Sequence, residues 1–274
     1  MTVVTVPPGY AGAVPKRRLD SLLAERGLFE SRSRAAAAVL AGEVRLDGRK
    51  ASKAGQLVDP GVAIDVAAPP PYVSRGGIKL ANALDALEVP VEGRECLDVG
   101  ASTGGFTDCL LQRGAAHVVA LDVAYGELSH RLRSDPRVTP LERVNARALD
   151  CGALPYRPGL IVADVSFIAL GKILPAVLAC AAERFDALVM VKPQFEVGRE
   201  RVGKGGVVRD PALRRAAIAG VAEAARALGA AVLGFAPSGL PGPAGNRETF
   251  VRLAEGGRAG ALSDLDAAAG EVDP

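Results

Sequence analysis

A chain of 274 residues, 49% hydrophobic and 23% charged, has enough apolar material for one large globular domain with a small one beside it. No apolar stretch reaches bilayer-spanning length, and the N-terminus lacks the charged start and apolar core of a signal peptide, so a cytoplasmic protein with no membrane partner is expected. The net charge of +2 is unevenly spread. Residues 16–53 carry ten Lys/Arg against five Asp/Glu, and the remainder 23 against 26, the balance of a polyanion-binding module joined to a mildly acidic body. Cys96, Cys109, Cys151 and Cys180 are scattered in apolar contexts without a Cys-x-x-Cys pair, and only His117 and His130 could join them. They are expected to be reduced core residues, and no metal site is expected.

Residues 1–15, with Pro7-Pro8-Gly9, are expected to be a disordered tail. Leu19, Leu22 and Leu23 then recur at helical spacing up to Gly27. Ser31 or Ser33 caps a second helix that ends at Gly42. Val44 to Arg49 alternates into an Asp47-Gly48 turn, and Val62, Ile64 and Val66 form a closing strand. This α+β module spans 16–68. Its cations Lys16, Arg17, Arg18, Arg32, Arg34, Arg45, Arg49 and Lys50 crowd the helix starts and the turn. With Arg-Leu-Asp (18–20), Ser-Arg-Ser-Arg-Ala (31–35) and Val-Arg-Leu-Asp-Gly (44–48), it resembles the S4 RNA-binding domain. That resemblance implies structured-RNA binding through phosphates and shape, with those eight cations as contacts. The other reading is a merely solvated basic surface.

Pro69-Pro70-Pro71 marks a stiff linker over 69–75. Helix and strand patterns then alternate over 76–254. Strands are expected at 95–100, 116–122, 137–142, 159–164, 186–191, 230–236 and 247–253, and helices at 104–113, 126–133, 166–184 and 210–228. That alternation means a mostly parallel sheet covered on both faces. Residues 255–274 are expected to be a second disordered tail.

The central stretch is 96–106, where the apolar run Cys96-Leu97-Asp98-Val99 stops at Gly100 and Gly104-Gly105 opens a helix. A buried strand, a glycine turn and a helix N-terminus make a nucleotide crevice, and Asp122, about 20 residues past Gly100, is spaced to grip a ribose. Nicotinamide is disfavoured because Ala101-Ser102 replaces the second glycine of the dinucleotide fingerprint. Asp-Val-Gly followed by Gly-Gly-Phe instead resembles the first motif of class I S-adenosylmethionine-dependent methyltransferases, whose fold is Rossmann-like with a mostly parallel seven-stranded sheet. The resemblance implies S-adenosylmethionine as cofactor. It gives the methionine part to Asp98 and the turn Gly100, Ala101, Ser102, Thr103, Gly104, Gly105 and Phe106, the ribose to Asp122 and the adenine side to Asn145, with Asp164 adjoining.

Four polar residues stand at strand exits or beside glycines: Lys79, Asp164, Lys192 and Glu248. Taken singly, each has a plain alternative: a solvated helix lysine, an N-cap for the helix at 166, a polar strand exit, or a surface pair with Arg247 or Arg252. Together they resemble the Lys-Asp-Lys-Glu tetrad of FtsJ-like RNA 2′-O-methyltransferases. Together also with the S4-like module, Ser-Arg-Gly-Gly-Ile-Lys-Leu (74–80), Asp-Val-Ser-Phe (164–167) and Val-Lys-Pro-Gln-Phe-Glu (191–196), they closely resemble the TlyA family. That resemblance implies methylation of cytidine 2′-hydroxyls in ribosomal RNA, and the basic start Lys16-Arg17-Arg18 favours the form acting on both 16S and 23S RNA. Ribosomal RNA or ribosomal subunits are then the partners. Some members carry Arg-x-Trp-Val in the linker to support cofactor binding, where this chain reads Pro70-Pro71-Tyr72-Val73. A ribose hydroxyl must lose its proton as it attacks. Lys192 is the expected base, Lys79 the neighbouring ammonium that favours its neutral form, and Asp164 and Glu248 orient the lysines and the ribose. Arg199, Arg201, Lys204 and Arg209 lie among four glycines, either as a basic loop that closes over RNA or as a solvated connector. The competing readings are a membrane-acting haemolysin-like protein, a methyltransferase of protein or small molecules, and a ribosome-binding factor without catalysis.

Overall fold

A computed structural model describes residues 15–67 and 70–273. The tail expected over 1–15 therefore lies, Pro15 apart, outside the described residues, as do Ala68 and Pro69. The chain divides into two compact units between Pro70 and Pro71.

The first unit runs β1 (Arg17–Arg18), α1 (Leu19–Glu25), α2 (Arg32–Ala41), β2 (Val44–Leu46), β3 (Arg49–Lys50), β4 (Leu57–Val58) and β5 (Ile64–Val66). Ser31 caps α2 by accepting from the Arg34 N–H, and Gly42 ends it at φ +80°. Asp47 and Gly48 both take positive φ, which a two-residue hairpin turn requires. β2 lies between β3 and β5, all antiparallel, and β1 pairs with β4. Leu19, Leu23, Ala35, Val39 and Val44 make its core.

The second unit contains α3 (Arg75–Ala86), β6 (Glu95–Val99), α4 (Gly105–Gln112), β7 (His117–Asp122), α5 (His130–Arg133), β8 (Val138–Glu142) and β9 (Leu160–Ala163). It continues with α6 (Leu174–Ala179), β10 (Asp186–Val191), α7 (Pro193–Glu196), α8 (Pro211–Ala227), β11 (Ala231–Pro237), β12 (Thr249–Ala254) and α9 (Leu265–Val272). Its seven-stranded sheet has the order β11-β12-β10-β9-β6-β7-β8, with β12 antiparallel to both neighbours and the other pairs parallel. Alternate side chains feed two cores. Leu97, Ile161 and Val189 face the side that also holds Ile218 of α8, and Cys96, Val162 and Met190 face the side that holds Leu80 of α3 and Leu110 of α4. From β6 the chain winds outward through β7 to β8, then crosses back to β9 on the other side of β6. The strand order thus reverses between β6 and β9, where an open α/β sheet leaves a crevice at its carboxyl edge.

Four expectations are corrected. The helix expected over 166–184 starts only at Leu174, because Pro175 is tolerated only in a helix's first turn and Phe167 at φ +65° breaks the chain before it. Asp164 therefore caps no helix there. The tail expected over 255–274 contains α9, whose Leu265 and Ala269 are buried against the main core. Residues 71–74, expected within a stiff linker over 69–75, belong instead to the second unit: Pro71 C=O accepts from Gln112, Val73 N–H donates to Asp108, and the Tyr72 ring packs where a side chain on Gly77 would stand. Finally, Cys151 and Cys180 are not reduced but form a disulfide, with Cα atoms 5.0 Å apart across 29 residues. Cys151 lies in a short turn after β8 and Cys180 closes α6, so only the tertiary fold brings them together. Cys96 and Cys109 are free and buried. Burial pushes their thiols up to about 12 and about 11, which leaves them without nucleophilic character.

Candidate active site

The glycine turn stands at the crevice between β6 and β9. Gly100 has φ +86°, and a Cβ there would collide with the backbone oxygen of Asp164, so only glycine lets the two strand exits approach this closely. Ser102, where the dinucleotide fingerprint would need glycine, is itself left-handed at φ +47° and gives its N–H to Asp122 Oδ2 at 2.7 Å. Asp122 Oδ1 accepts from the Ala124 N–H at 2.8 Å, so both oxygens are oriented by backbone while keeping lone pairs for hydroxyls. Asp98 beneath the turn is fully buried. Its Oδ2 accepts from Thr107 Oγ1 at 2.7 Å, and its Oδ1 has no hydrogen-bond partner among the described residues. Burial pushes its carboxyl up to about 7, against the opposing hydrogen bond from Thr107.

Two cavities share this turn. One, of about 470 Å³, is lined by Ser74, Arg75 and Lys79 from the start of α3 and by Gly100, Ala101, Ser102, Thr103, Gly105, Phe106 and Asp164. The other, of about 380 Å³, is lined by Gly100, Ser102, Asp122, Asn145 and Asp164, with an apolar wall that includes Val123, Ala146, Val165 and Ile168. A polar chamber and an apolar slot joined at Gly100, Ser102 and Asp164 fit a long ligand with a charged amino-acid end, a ribose and a flat base. The expected cofactor residues are thus gathered, with two exceptions. Gly104 faces Leu128 and Leu132 instead and starts α4, and Asp98 stays sealed below the turn.

The four expected catalytic residues form two ion pairs. Lys79 Nζ on α3 donates to Glu248 Oε2 at the entry of β12, and both are buried. Lys192 Nζ at the end of β10 lies 2.6 Å from Asp164 Oδ1 at the end of β9, outside hydrogen-bond geometry, and donates to Ser166 Oγ at 2.9 Å. Lys79 therefore faces a carboxylate of its own. A third cavity of about 960 Å³ opens over Lys192, Ser166 and Glu248. Phe167, Phe195, Arg199, Gly203 and Gly206 also line it, so the basic 199–209 segment borders Lys192. Phe167 is 91% exposed, in left-handed backbone, with its ring 5.3 Å from that of Phe195. A bulky residue held in that conformation at a cavity wall is the kind of strain that collects at functional sites.

In the first unit all eight expected RNA contacts are exposed. They are not equally available. Arg17 is paired with Glu25, Arg18 is forked onto Asp20, and Arg32 stands 3.6 Å from Asp20. The hydrogen bond from Arg18 holds the Asp20 carboxyl down at about 2. Lys16, Arg34, Arg45, Arg49 and Lys50 make no ion pair among the described residues.

Sequence reasoning quoted Ser74, Arg75, Val165 and Ser166 only within motifs and gave them no role, and it passed over Val123 and Ile168. Apolar residues just past strands carry no mark that separates a ligand wall from core, whereas Ser166, next but one to Asp164, carried a signal in its position.

A mostly parallel seven-stranded sheet with an antiparallel β12 and a glycine-turn crevice at the β6/β9 switch defines the class I S-adenosylmethionine-dependent methyltransferase fold. The FtsJ-like methyltransferase model matches residues 72–255, and the S4 domain model residues 17–64. The chain is 51% identical over 240 residues to the 16S/23S rRNA (cytidine-2′-O)-methyltransferase TlyA of Mycobacterium tuberculosis, covering 87% of this chain and 90% of that protein. It is 33% identical over 180 residues to the 23S rRNA (cytidine-2′-O)-methyltransferase TlyA of Campylobacter jejuni, covering 65% and 69%. A hemolysin-labelled structure from Streptococcus thermophilus is 36% identical, with TM-score 0.71 over 95% of this chain and 96% of that one. The chain belongs to the TlyA family of FtsJ-like methyltransferases. No helix among the described residues is long and apolar enough to cross a membrane.

Proposed function

We propose that this enzyme methylates cytidine 2′-hydroxyls in ribosomal RNA of both subunits, working inside the cell. The observation that carries the reading is the Lys192–Asp164 pair, which stands between the cofactor-shaped chambers and the larger, basic-rimmed cavity. S-adenosylmethionine, when bound, supplies an electrophilic methyl group. Asp122 would hold its ribose, the Gly100–Gly105 turn and Arg75 its amino-acid end, and Asn145 with the Val165–Ile168 wall its base. On the acceptor side, Lys192 in its neutral form, having first given a proton to solvent, takes the proton of the ribose hydroxyl and is left as the ammonium that pairs with Asp164, while Ser166 holds that nitrogen at the boundary of the two chambers. The buried Lys79–Glu248 pair fixes α3 to β12 and so sets the opposite wall. In the first unit, exposed Lys16, Arg34, Arg45, Arg49 and Lys50 are free for phosphates, and Arg17, Arg18 and Arg32 would exchange their carboxylates for them.

The relatives differ in a way that bears on target range. The 51% identical one is named for both 16S and 23S RNA, and the 33% identical one for 23S alone. The present S4-like unit, with β1 and its cations, favours the wider range. Purified protein is expected to transfer labelled methyl from S-adenosylmethionine to RNA of isolated small and large subunits, in a linkage resistant to alkali and recovered as 2′-O-methylcytidine. Label lost on alkaline hydrolysis, or none on either RNA, would overturn the reading.

A further inference from the structure

Asn246 lies in the loop before β12, two residues ahead of Glu248, yet is only 1% exposed. Its side-chain amide is spent on one neighbour. Oδ1 accepts from the Val208 N–H at 2.9 Å, and Nδ2 donates to the Gly206 C=O at 2.8 Å. One side chain thus holds both kinds of backbone dipole in the Gly203–Arg209 segment, as a neighbouring strand would. Asn246 is itself held from behind, its C=O accepting from the Gly242 N–H at 2.9 Å. The far end of the segment is tied separately: Arg214 donates to the Arg209 C=O at 2.7 Å and is forked onto buried Asp273. Between these ties the segment has little packing of its own. Gly205 and Gly206 have positive φ, and Val208 is its one buried apolar side chain.

The geometry points to Asn246 as a positioning residue for the acceptor. We propose that its amide pins the Arg199–Arg209 segment at the rim of the Lys192 cavity, so that the basic segment meets the incoming RNA already ordered. Asn246 touches no reacting atom; it acts through the segment. A segment ordered in advance spares the RNA the entropy of ordering it on binding. The inference rests on the RNA-methyltransferase reading for its substrate, but the pinning itself is measurable without turnover.

Trypsin can cut after Arg199, Arg201, Lys204 and Arg209. In Asn246→Ala, cleavage within 199–209 is expected to accelerate roughly tenfold or more, as expected when two buried hydrogen bonds are lost. KM for ribosomal subunits should rise roughly tenfold, kcat should fall less, and affinity for S-adenosylhomocysteine by calorimetry should hold within twofold. Asn246→Asp keeps the acceptor for Val208 but not the donor to Gly206, and is expected to fall between wild type and alanine in cleavage rate. Because a buried substitution can disturb folding, amide exchange in the unsubstituted protein provides the second measurement. Val208 N–H should be protected while Gly205 N–H exchanges freely. Unprotected Val208, unchanged cleavage in Asn246→Ala, or a fall in kcat with KM unmoved would each overturn the inference. Failure of the unsubstituted enzyme to methylate RNA would sink the functional reading instead, and leave the exchange and cleavage results to decide on the pin.

Discussion

Lys79–Glu248 and Lys192–Asp164 are built from the same two charges, and they differ in what surrounds them. The side chains of the first pair are 8% and 1% exposed, and those of the second 12% and 24%. The first pair borders the cavities too, Lys79 the 470 Å³ one and Glu248 the 960 Å³ one, but it is so nearly sealed that it has lost most of its hydration and stands because each charge answers the other. Removing one partner strands the other, at a cost of roughly 3–5 kcal/mol. The second pair, a quarter exposed at Asp164, keeps water and substrate within reach, and its contribution to stability lies closer to the roughly 1 kcal/mol of an exposed pair. The difference separates their duties: the open pair can exchange a proton with an acceptor, and the sealed pair can hold two elements in register.

The sharpest way to break this comparison is to remove the open lysine. Lys192→Ala is expected to lower methyl transfer by roughly 10²- to 10⁴-fold, the usual worth of a positioned base. Its melting temperature should stay within a few degrees of wild type, and S-adenosylhomocysteine binding within a few-fold. Activity within tenfold of wild type would remove Lys192 from the chemistry.

The sealed pair should show the opposite balance. Glu248→Gln is expected to cost roughly 3–5 kcal/mol in a denaturant titration, because Lys79 is left charged and buried. The double substitution Lys79→Met with Glu248→Met, which leaves no stranded charge, should recover most of that stability and none of the activity. If the single and double variants are equally unstable, the pair is not the sealed unit its burial describes.

How much of this was legible depended on whether a residue's job is local. The Gly100 turn could be read because a positive φ at a strand exit needs glycine, and because Asp122 follows at a fixed distance along one β-α-β unit. The four polar residues could be read as a set, since each interrupts an apolar strand exit or a glycine pair. Which lysine meets which carboxylate could not. That follows from β9 lying beside β10, and from α3 packing its Leu80 in the same core as Phe250 of β12, facts of tertiary arrangement that no spacing records. Asn246 gave no signal for the same reason, since its partners are 38 and 40 residues away. The disulfide and α9 were missed because Cys151, Cys180 and the Ala-rich 265–272 stretch acquire meaning only from the surfaces they meet. Pro175 could have placed the start of α6, because proline's place in a helix is a local rule.

Asp98 extends the comparison to a carboxyl that has no cation at all. With its carboxyl at about 7 in the folded chain, against an ordinary value near 4, the folded state holds a proton that the unfolded state has already lost between about pH 4 and pH 7. Stability from this group is therefore greatest at the acid end of that window, falls as pH rises through it, and levels off above about pH 7. The paired carboxyl of Asp20, held at about 2, has the opposite sense and loses its contribution only as pH falls below its ordinary range. Asp98→Asn keeps an oxygen for Thr107 and cannot ionise, so the slope that Asp98 adds should vanish. Denaturant midpoints measured from pH 4.5 to pH 8 should converge at the acid end and diverge toward neutrality, with the variant the more stable at pH 8 by on the order of a few kcal/mol. Parallel profiles for the two proteins would mean that Asp98 ionises in the folded state as easily as in the unfolded one, and that a partner or a water compensates its burial after all.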